Sequence, residues 1–474
     1  MKLFAVTAVV MLLSPPGRAE IIVLRSGEDI TARVSLISSC TVKLENGTQL
    51  PRKDILEIQL AGQSAPQAAA IAVTERDKAD AAAAFGQARE FGARYSGMNG
   101  LILLDSGEYV LKPDGTQVFR NHQIRQILKE SLKQQWGTVG SCAEEGRERV
   151  RITKASVYAP DGAVYPLDPA RIETSRPQDG SGDFFVAGNI CSIYEMPNVQ
   201  AGSIVDYETE LETYNPFRRD FFFPGWGFAD DQGPVRVSQV RVTVPASQDF
   251  FYSTRNFPAP APEQPAVTRA SETRTYSWRL ENIEPLAAEP NMPAYQNVAP
   301  FLLGSLFKNW GPVLDWTAGL YEERTKPSPE LARFTLDLVK NCKTEDEKAA
   351  EIYHYVQKEI RYIALKVGVA SGWGGYDANL TWKRRYGCCV DKALLLTAML
   401  NAAGIKASPV LINTNDQAEL DFRIPQLGFD HCITVAEISG RHVFLDSTGY
   451  DYRSPSIAGF DYGTVVLNIF GHKL

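Results

Sequence analysis

Arg384-Arg385-Tyr386-Gly387-Cys388-Cys389-Val390-Asp391-Lys392-Ala393-Leu394-Leu395-Leu396 is a short turn carrying two cysteines that runs straight into an apolar helix. The pattern places Cys389 at or just before the first helical turn, and Gly404, after Asn401-Ala402-Ala403, supplies the stop. A cysteine at a helix start meets backbone N–H groups and the positive end of the helix dipole, both of which favour its thiolate. Cys389 is therefore a candidate nucleophile.

A cysteine nucleophile needs a base, and the base needs a third group to orient it. The chain has five histidines. His122 falls in a strand-rich region, His354 on a helix face and His472 at the end of the chain, which leaves His431 and His442. His431 opens the strand Cys432-Ile433-Thr434-Val435-Ala436-Glu437, and the next strand, His442-Val443-Phe444-Leu445, runs into Asp446-Ser447-Thr448. A hairpin through Ser439-Gly440 brings His431 and Asp446 to the same end of two paired strands and leaves His442 near the turn. Cys432 is expected as a buried strand residue pointing away from the site.

Cys389 at a helix start, His431 opening a strand after Phe429-Asp430, and Asp446 before Ser447-Thr448 resemble the bacterial transglutaminase-like superfamily with its papain-like core. The helix Ile352 to Ile360 running into Arg361-Tyr362 fits the same pattern, and the resemblance covers about residues 295–474. It implies Cys389 as nucleophile, His431 as acid and base, and Asp446 as the residue that orients His431. Asp391 and Lys392 match family positions beside the helix start and are expected to be structural. The family usually has Asp where Cys388 stands and Lys where Val390 stands, so the charge around the nucleophile is altered here. The implied chemistry is thiolate attack on a carboxamide or peptide carbonyl, giving a thioester that water or an amine resolves. The backbone N–H of Cys389 is the expected oxyanion donor, with Trp382 either a second donor or a packing residue.

Working outward, residues 291–474 read as this α+β domain, with Ser328-Pro329 and Thr344-x-x-Glu347 as helix starts. Residues 97–290 read as a β-sandwich with hairpin turns at Lys112-Pro113-Asp114-Gly115 and Ala159-Pro160-Asp161-Gly162. Val235, Val237, Val240, Val242 and Val244 shift phase once, which predicts a β-bulge. The Pro-rich stretch Phe257 to Pro262 is expected to be an exposed loop. This β-rich region resembles the domain of unknown function that often precedes such modules in exported bacterial proteins. Residues 61–96 turn alanine- and charge-rich, which predicts a linker that becomes helical. Residues 20–60 alternate short strands with turns, including Asn46-Gly47, and resemble a small β-barrel of the Sm-like kind. The fold class is thus α+β and multidomain, in keeping with a chain of 474 residues.

Met1-Lys2, the apolar run Leu3 to Leu13, and Ser14-Pro15-Pro16-Gly17-Arg18-Ala19 have the form of a secretory signal over residues 1–19. A periplasmic or secreted protein follows as an expectation, with cell-envelope association open. Seven cysteines leave an odd thiol even if all the others pair. A Cys388–Cys389 bridge would be strained. With 49 Lys+Arg against 56 Asp+Glu, a net charge of −7 and no basic patch, nucleic acid is disfavoured as a partner. No His-Glu-x-x-His, paired Cys-x-x-Cys or phosphate-cradling Gly-x-x-x-x-Gly-Lys occurs, so no metal or cofactor is expected, and Gly-Trp-Gly-Gly at 372–375 reads as a flexible loop. Two functions stay open: a cysteine hydrolase or acyltransferase acting on peptides or proteins, or an envelope binding or scaffold protein that keeps a vestigial form of the domain.

Overall fold

The computed structural model describes residues 20–24, 29–32, 34–37, 41–44, 46–51, 55–59, 73–95, 97–176, 189–259, 264–287, 289–363, 373–415, 418–454 and 456–471. The secretory signal, residues 260–262 of the Pro-rich stretch, Gly372 and His472 lie outside them. The chain divides into two compact units, residues 1–72 and 73–474.

The first unit carries two antiparallel three-stranded sheets. In one, Glu20–Leu24 pairs with Asp29–Ala32 and Ile55–Gln59. In the other, Thr41–Leu44 pairs with Val34–Ile37 and Gln49–Pro51. Asn46-Gly47 makes the second turn of that sheet, with Gly47 at φ 89° and Asn46 Oδ1 accepting from the Thr48 N–H at 3.0 Å. Among the described residues no ladder joins the two sheets into a closed barrel.

The second unit opens with helix α1 (Glu75–Gly92), whose start is a capping box between Thr74 and Asp77. Ala81, Ala84, Ala88 and Phe91 bury against Leu101, Leu103, Tyr158 and Ile204 of the following sheet. The alanine-rich segment is therefore a packed layer over these residues, since small side chains let a helix lie close on a sheet.

That sheet has eight strands, in the order Val164–Tyr165, Glu148–Tyr158, Ile204–Thr213, Gln117–Ile127, Gly100–Leu111, Val235–Pro245, Thr273–Ile283 and Ala266–Arg269. Every neighbouring pair is antiparallel except Gly100–Leu111 against Val235–Pro245. Two three-stranded sheets form the other layer. One contains Thr138–Glu144, Asn189–Glu195 and Glu173–Ser175, the other Gly225–Gly227, Phe301–Ser305 and Phe251–Arg255. Val139, Tyr194, Trp226, Phe250 and Leu302 from this layer share one core with Val240, Val242, Val244 and Trp278 of the large sheet. Cys142 and Cys191 pair directly across two strands of the first small sheet and form a disulfide.

The bulge expected between Val237 and Val240 does not form, because pairing with Thr273–Ile283 runs without a register shift. Ser238 occupies the core-facing row ahead of Val240, Val242 and Val244. It is fully buried and accepts a hydrogen bond from Trp226 Nε1 at 3.1 Å, so a polar side chain fills a core position without breaking the ladder.

The C-terminal part contains helices α2 (Gly311–Arg324), α3 (Pro329–Leu338), α4 (Glu345–Glu359), α5 (Ala378–Arg384) and α6 (Cys389–Ala402). Its antiparallel sheet is built from β1 (Ala407–Ile412), β2 (His431–Ile438), β3 (Arg441–Leu445) and β4 (Val466–Asn468), in the order β3-β2-β1-β4. Ser328 caps α3, and Thr344 with Glu347 forms the capping box of α4. Every residue of α6 from Cys389 to Leu400 is buried. Leu395, Leu396, Met399 and Leu400 pack with Ile352, Tyr353 and Val356 of α4, while Val390, Ala393 and Leu394 pack with Tyr321, Leu411 and Cys432. A helix apolar all round belongs in the middle of a domain.

Asp421 ties this part to the β layer. Its carboxylate is 3% exposed and accepts from Ser253 Oγ at 2.7 Å, Arg255 Nε at 3.3 Å, and Arg423 Nε and Nη2 at 2.9 and 2.8 Å. Burial opposes its charge, but these hydrogen bonds outweigh burial and hold the carboxyl well below the usual carboxylate range. A group shifted this way stabilises the fold above its ordinary pKa and loses that contribution as pH falls through the lowered value. Asp421→Ala is expected to cost about 2 to 3 kcal/mol in urea unfolding at neutral pH, and the gap from the parent should narrow progressively in strong acid.

Candidate active site

Cys389 is the first residue of α6 and Cys388 its N-cap. The turn is held from the helix side: Asp391 Oδ2 accepts from the Cys388 N–H at 2.9 Å, and Asp391 Oδ1 from the Tyr376 N–H at 2.6 Å. Gly387 is needed here, since a Cβ at that position would stand 2.5 Å from Asp391 Cβ. Burial raises the Asp391 pKa, and the two N–H donors work against that. Lys392 is 1% exposed, and its ammonium donates to Ile360 O at 2.6 Å and Gln357 O at 3.3 Å, at the C-terminal end of α4. Burial lowers its pKa to about 8, against the pull of Asp446. Asp391 and Lys392 thus fix the start of α6, one by capping it and the other by tying it to α4.

The β2–β3 hairpin turns on Ser439 and Gly440, both at positive φ (51° and 74°), the geometry of a two-residue hairpin turn. Its register pairs Thr434 with Leu445, so Asp446 falls beside the start of β2 and on the same face as His431. His431 Nε2 lies 3.4 Å from Asp446 Oδ2, an ion-pair contact longer than a well-formed hydrogen bond. Asp446 Oδ1 accepts from the Thr448 N–H at 2.9 Å and from Thr448 Oγ1 at 2.7 Å. Tyr353 donates to the Asp446 carbonyl at 2.8 Å, and Gln357 Nε2 donates to Gly449 O and Tyr452 O, both at 2.8 Å. The loop carrying Asp446 is pinned to α4 by these bonds.

His431 also reaches the Cys389 thiol. Burial disfavours its imidazolium, but Asp446 and Cys389, through hydrogen bonding and charge, outweigh burial and raise the ring from 6.5 to about 10. Cys388, whose thiol is hydrogen-bonded to Cys389 and buried beside Asp391, is pushed far up. The structure therefore brings Cys389, His431 and Asp446 together.

The other candidates fall elsewhere. His442 is exposed and pairs with Glu437 near the turn; His122 contacts Asp206 at 2.8 Å, and His354 contacts Gln357 at 3.0 Å. Trp382 Nε1 donates to Tyr355 OH at 2.9 Å, so it is a packing residue and not an oxyanion donor. Cys432 does not point away from the site. Strand alternation sets it with Thr434 on the side facing α6, in the apolar cluster that holds Cys388 and Cys389. Trp373 is no flexible element either: its ring lies 5.9 Å from those of both Trp316 and Phe429, and its indole N–H donates to Thr317 at 3.2 Å.

Three further residues border the site, of which Tyr362 ends the helix-to-strand pattern while Phe460 and Asp461 carry no sequence pattern. Tyr362, 41% exposed, lies near enough for the charges of Cys389 and Asp446 to help burial raise its phenol. The Phe460 ring is 6.4 Å from His431, edge-on, and Asp461 is buried beside His431 and Asp446. Both sit in the short turn Gly459–Asp461, whose irregular backbone has no periodicity to read. Atoms of His431, Asp446 and Asp461 lie within 4.8 Å of one another, a spacing that would also suit a cation, which would have to compete with a proton for the His431 ring.

Residues 332–447, which include Cys389, His431 and Asp446, match the family model described as the transglutaminase-like superfamily. The C-terminal domain is a transglutaminase-like core. Residues 113–287 match a second family model, a Domain of Unknown Function (DUF3857), so the β-rich region and the core are joined in one chain. Among solved structures, a proposed protease from Parabacteroides distasonis ATCC 8503 superimposes with a TM-score of 0.62 at 16% identity, covering 73% of this chain and 67% of that one. At this identity the likeness speaks for the fold alone. A proposed cysteine protease from Cytophaga hutchinsonii is 12% identical over 70% of this chain and 76% of that one, and its TM-score of 0.20 carries no argument. No curated protein matches the chain. Asp461 lies beyond the segment matched by the transglutaminase-like model.

The raised His431 pKa of this core has a defined effect on stability. The imidazolium contributes fully below its ordinary value of 6.5, and the contribution is lost as pH rises through about 10. In thermal melts, His431→Gln should be destabilised most just below pH 6.5 and should approach the parent in strongly alkaline buffer.

Proposed function

We propose that this protein is a cysteine-dependent hydrolase or acyltransferase acting on amide or peptide bonds, with Cys389 as nucleophile, His431 as acid and base, and Asp446 as its orienting carboxylate. The observation that carries this reading is a buried imidazole placed between a carboxylate and a cysteine at a helix start. An imidazolium that persists at neutral pH stabilises a thiolate beside it, which is the form that attacks.

In the reaction, Cys389 Sγ bonds to the carbonyl carbon, and the carbonyl oxygen takes up the negative charge near the Cys389 N–H. The C–N bond then breaks, His431 delivers its proton to the departing amine, and a thioester remains on Cys389. Water or a second amine next attacks the thioester carbon, gives its proton to His431, and releases the thiolate. Water completes hydrolysis; an amine completes acyl transfer. The leader-like residues 1–19 and the Cys142–Cys191 disulfide support an exported, periplasmic or secreted location. Peptide or protein substrates at the cell envelope fit that location.

A second reading is favoured by one observation: Cys389 is 1% exposed, so its thiol is almost closed to solvent. In that reading the core is kept as a fold, and the protein binds partners at the envelope.

Iodoacetamide separates the two readings. In the reduced protein Cys389 should alkylate at least about tenfold faster than the more exposed Cys342, although it is the more buried of the two. Cys389→Ala should abolish hydrolysis of a peptide mixture followed by mass spectrometry, and added hydroxylamine should yield hydroxamates if amines are accepted. Equal alkylation rates, with no effect of Cys389→Ala, would leave the binding reading standing.

A further inference from the structure

The mechanism uses one carboxylate, yet the site contains two. Asp461 is 5% exposed, and among the described residues no hydrogen bond of good geometry reaches either of its carboxylate oxygens. Beside it, Asp446 Oδ2 and His431 Nε2 are buried and face each other across the 3.4 Å ion-pair contact, without a well-formed hydrogen bond among the described residues. Four buried polar atoms that lack a well-formed hydrogen bond among the described residues therefore converge where His431, Asp446 and Asp461 approach to within 4.8 Å.

The backbone around Asp461 is by contrast tied down. The Asp461 N–H donates to Ala458 O at 3.0 Å, and the Asp461 carbonyl accepts from Thr464 Oγ1 at 3.1 Å. The Asn415 N–H donates to Phe460 O at 2.8 Å, and Asn415 Nδ2 to Tyr462 O at 2.8 Å. The turn thus holds the carboxylate against the site while giving it no donor of its own. A buried carboxylate is costly unless a positive charge or a shared proton compensates it. The groups that face His431 are Cys389 from α6, Asp446 after β3, Asp430 next in the chain and Asp461, with Lys392 close to Asp446. Lys392 is already committed to carbonyls of α4, which leaves the imidazolium as the compensating cation.

We infer that Asp461 is a positioning residue, a second carboxylate that acts with Asp446 to keep the His431 ring charged and in one orientation. Its use in catalysis rests on the Cys389 mechanism, but its hold on His431 does not. Burial raises the Asp461 carboxyl to about 6, opposed by His431 and reinforced by Asp446 and Asp430, in keeping with two acids that compete for one proton.

The test is a proton NMR titration of the His431 ring in the full-length protein, assigned by its absence in His431→Gln. Asp461→Asn should lower the His431 midpoint by about one pH unit, a tenfold weaker hold on the proton, and Asp461→Glu should restore part of it. An unchanged midpoint in Asp461→Asn, with a lowered one in Asp446→Asn, overturns the inference. Should Asp461→Asn fail to fold by circular dichroism, the parent decides: a midpoint at the ordinary histidine value overturns the inference. Chelation with EDTA should leave the titration unmoved. A shift on chelation that zinc reverses would also overturn it, making the carboxyl pair a cation site. Because no step of the test reads activity or Cys389 alkylation, failure of the proposed mechanism and failure of this inference remain distinct.

Discussion

The burial of α6 is the constraint on which the C-terminal domain depends. A helix whose sides are all apolar must be surrounded, so α4, α2 and the four-stranded sheet are arranged around it. Its first turn is where that envelope ends, and there the polar groups begin: Asp391 caps the turn, Lys392 ties it to α4, and the open end of the β2–β3 hairpin delivers His431 and Asp446. The meeting of Cys389, His431 and Asp446 is thus a by-product of where a fully buried helix has to start.

Several features were legible because a local rule dictates them. Asn46-Gly47 and Ser439-Gly440 tolerate positive φ and so mark their turns. Thr344 with Glu347, and Ser328 ahead of Pro329, carry the hydrogen-bonding groups that a helix start demands. The hairpin register followed from that turn, and with it the meeting of His431 and Asp446. What escaped depended on partners distant in the chain. Ser238 mimics a bulge in the hydrophobic pattern because Trp226 supplies its hydrogen bond, and no count along the strand reveals that. Trp382 and Trp373 are fixed by Tyr355 and Thr317, so neither is the mobile or catalytic element its neighbours suggest. Asp461 sits in an aperiodic turn and reaches the site only through the tertiary fold.

The two family segments differ in how they organise charge. The β region sets partly exposed arginines, Arg120 and Arg151, against the buried Glu210 on the large sheet, where solvent reaching the guanidinium groups screens part of each pair's worth. The transglutaminase-like core buries Asp391, Lys392, Asp446 and Asp461 within one small region. Burial there magnifies each charge, so small changes in one group are felt by the others.

The parallel seam between Gly100–Leu111 and Val235–Pro245 bears on the order in which the chain can assemble. Gly100–Leu111 finds its antiparallel neighbour within a few residues, but its other edge waits for a strand made more than a hundred residues later. While the chain emerges from the ribosome, that edge is open and able to pair with another strand of the wrong molecule.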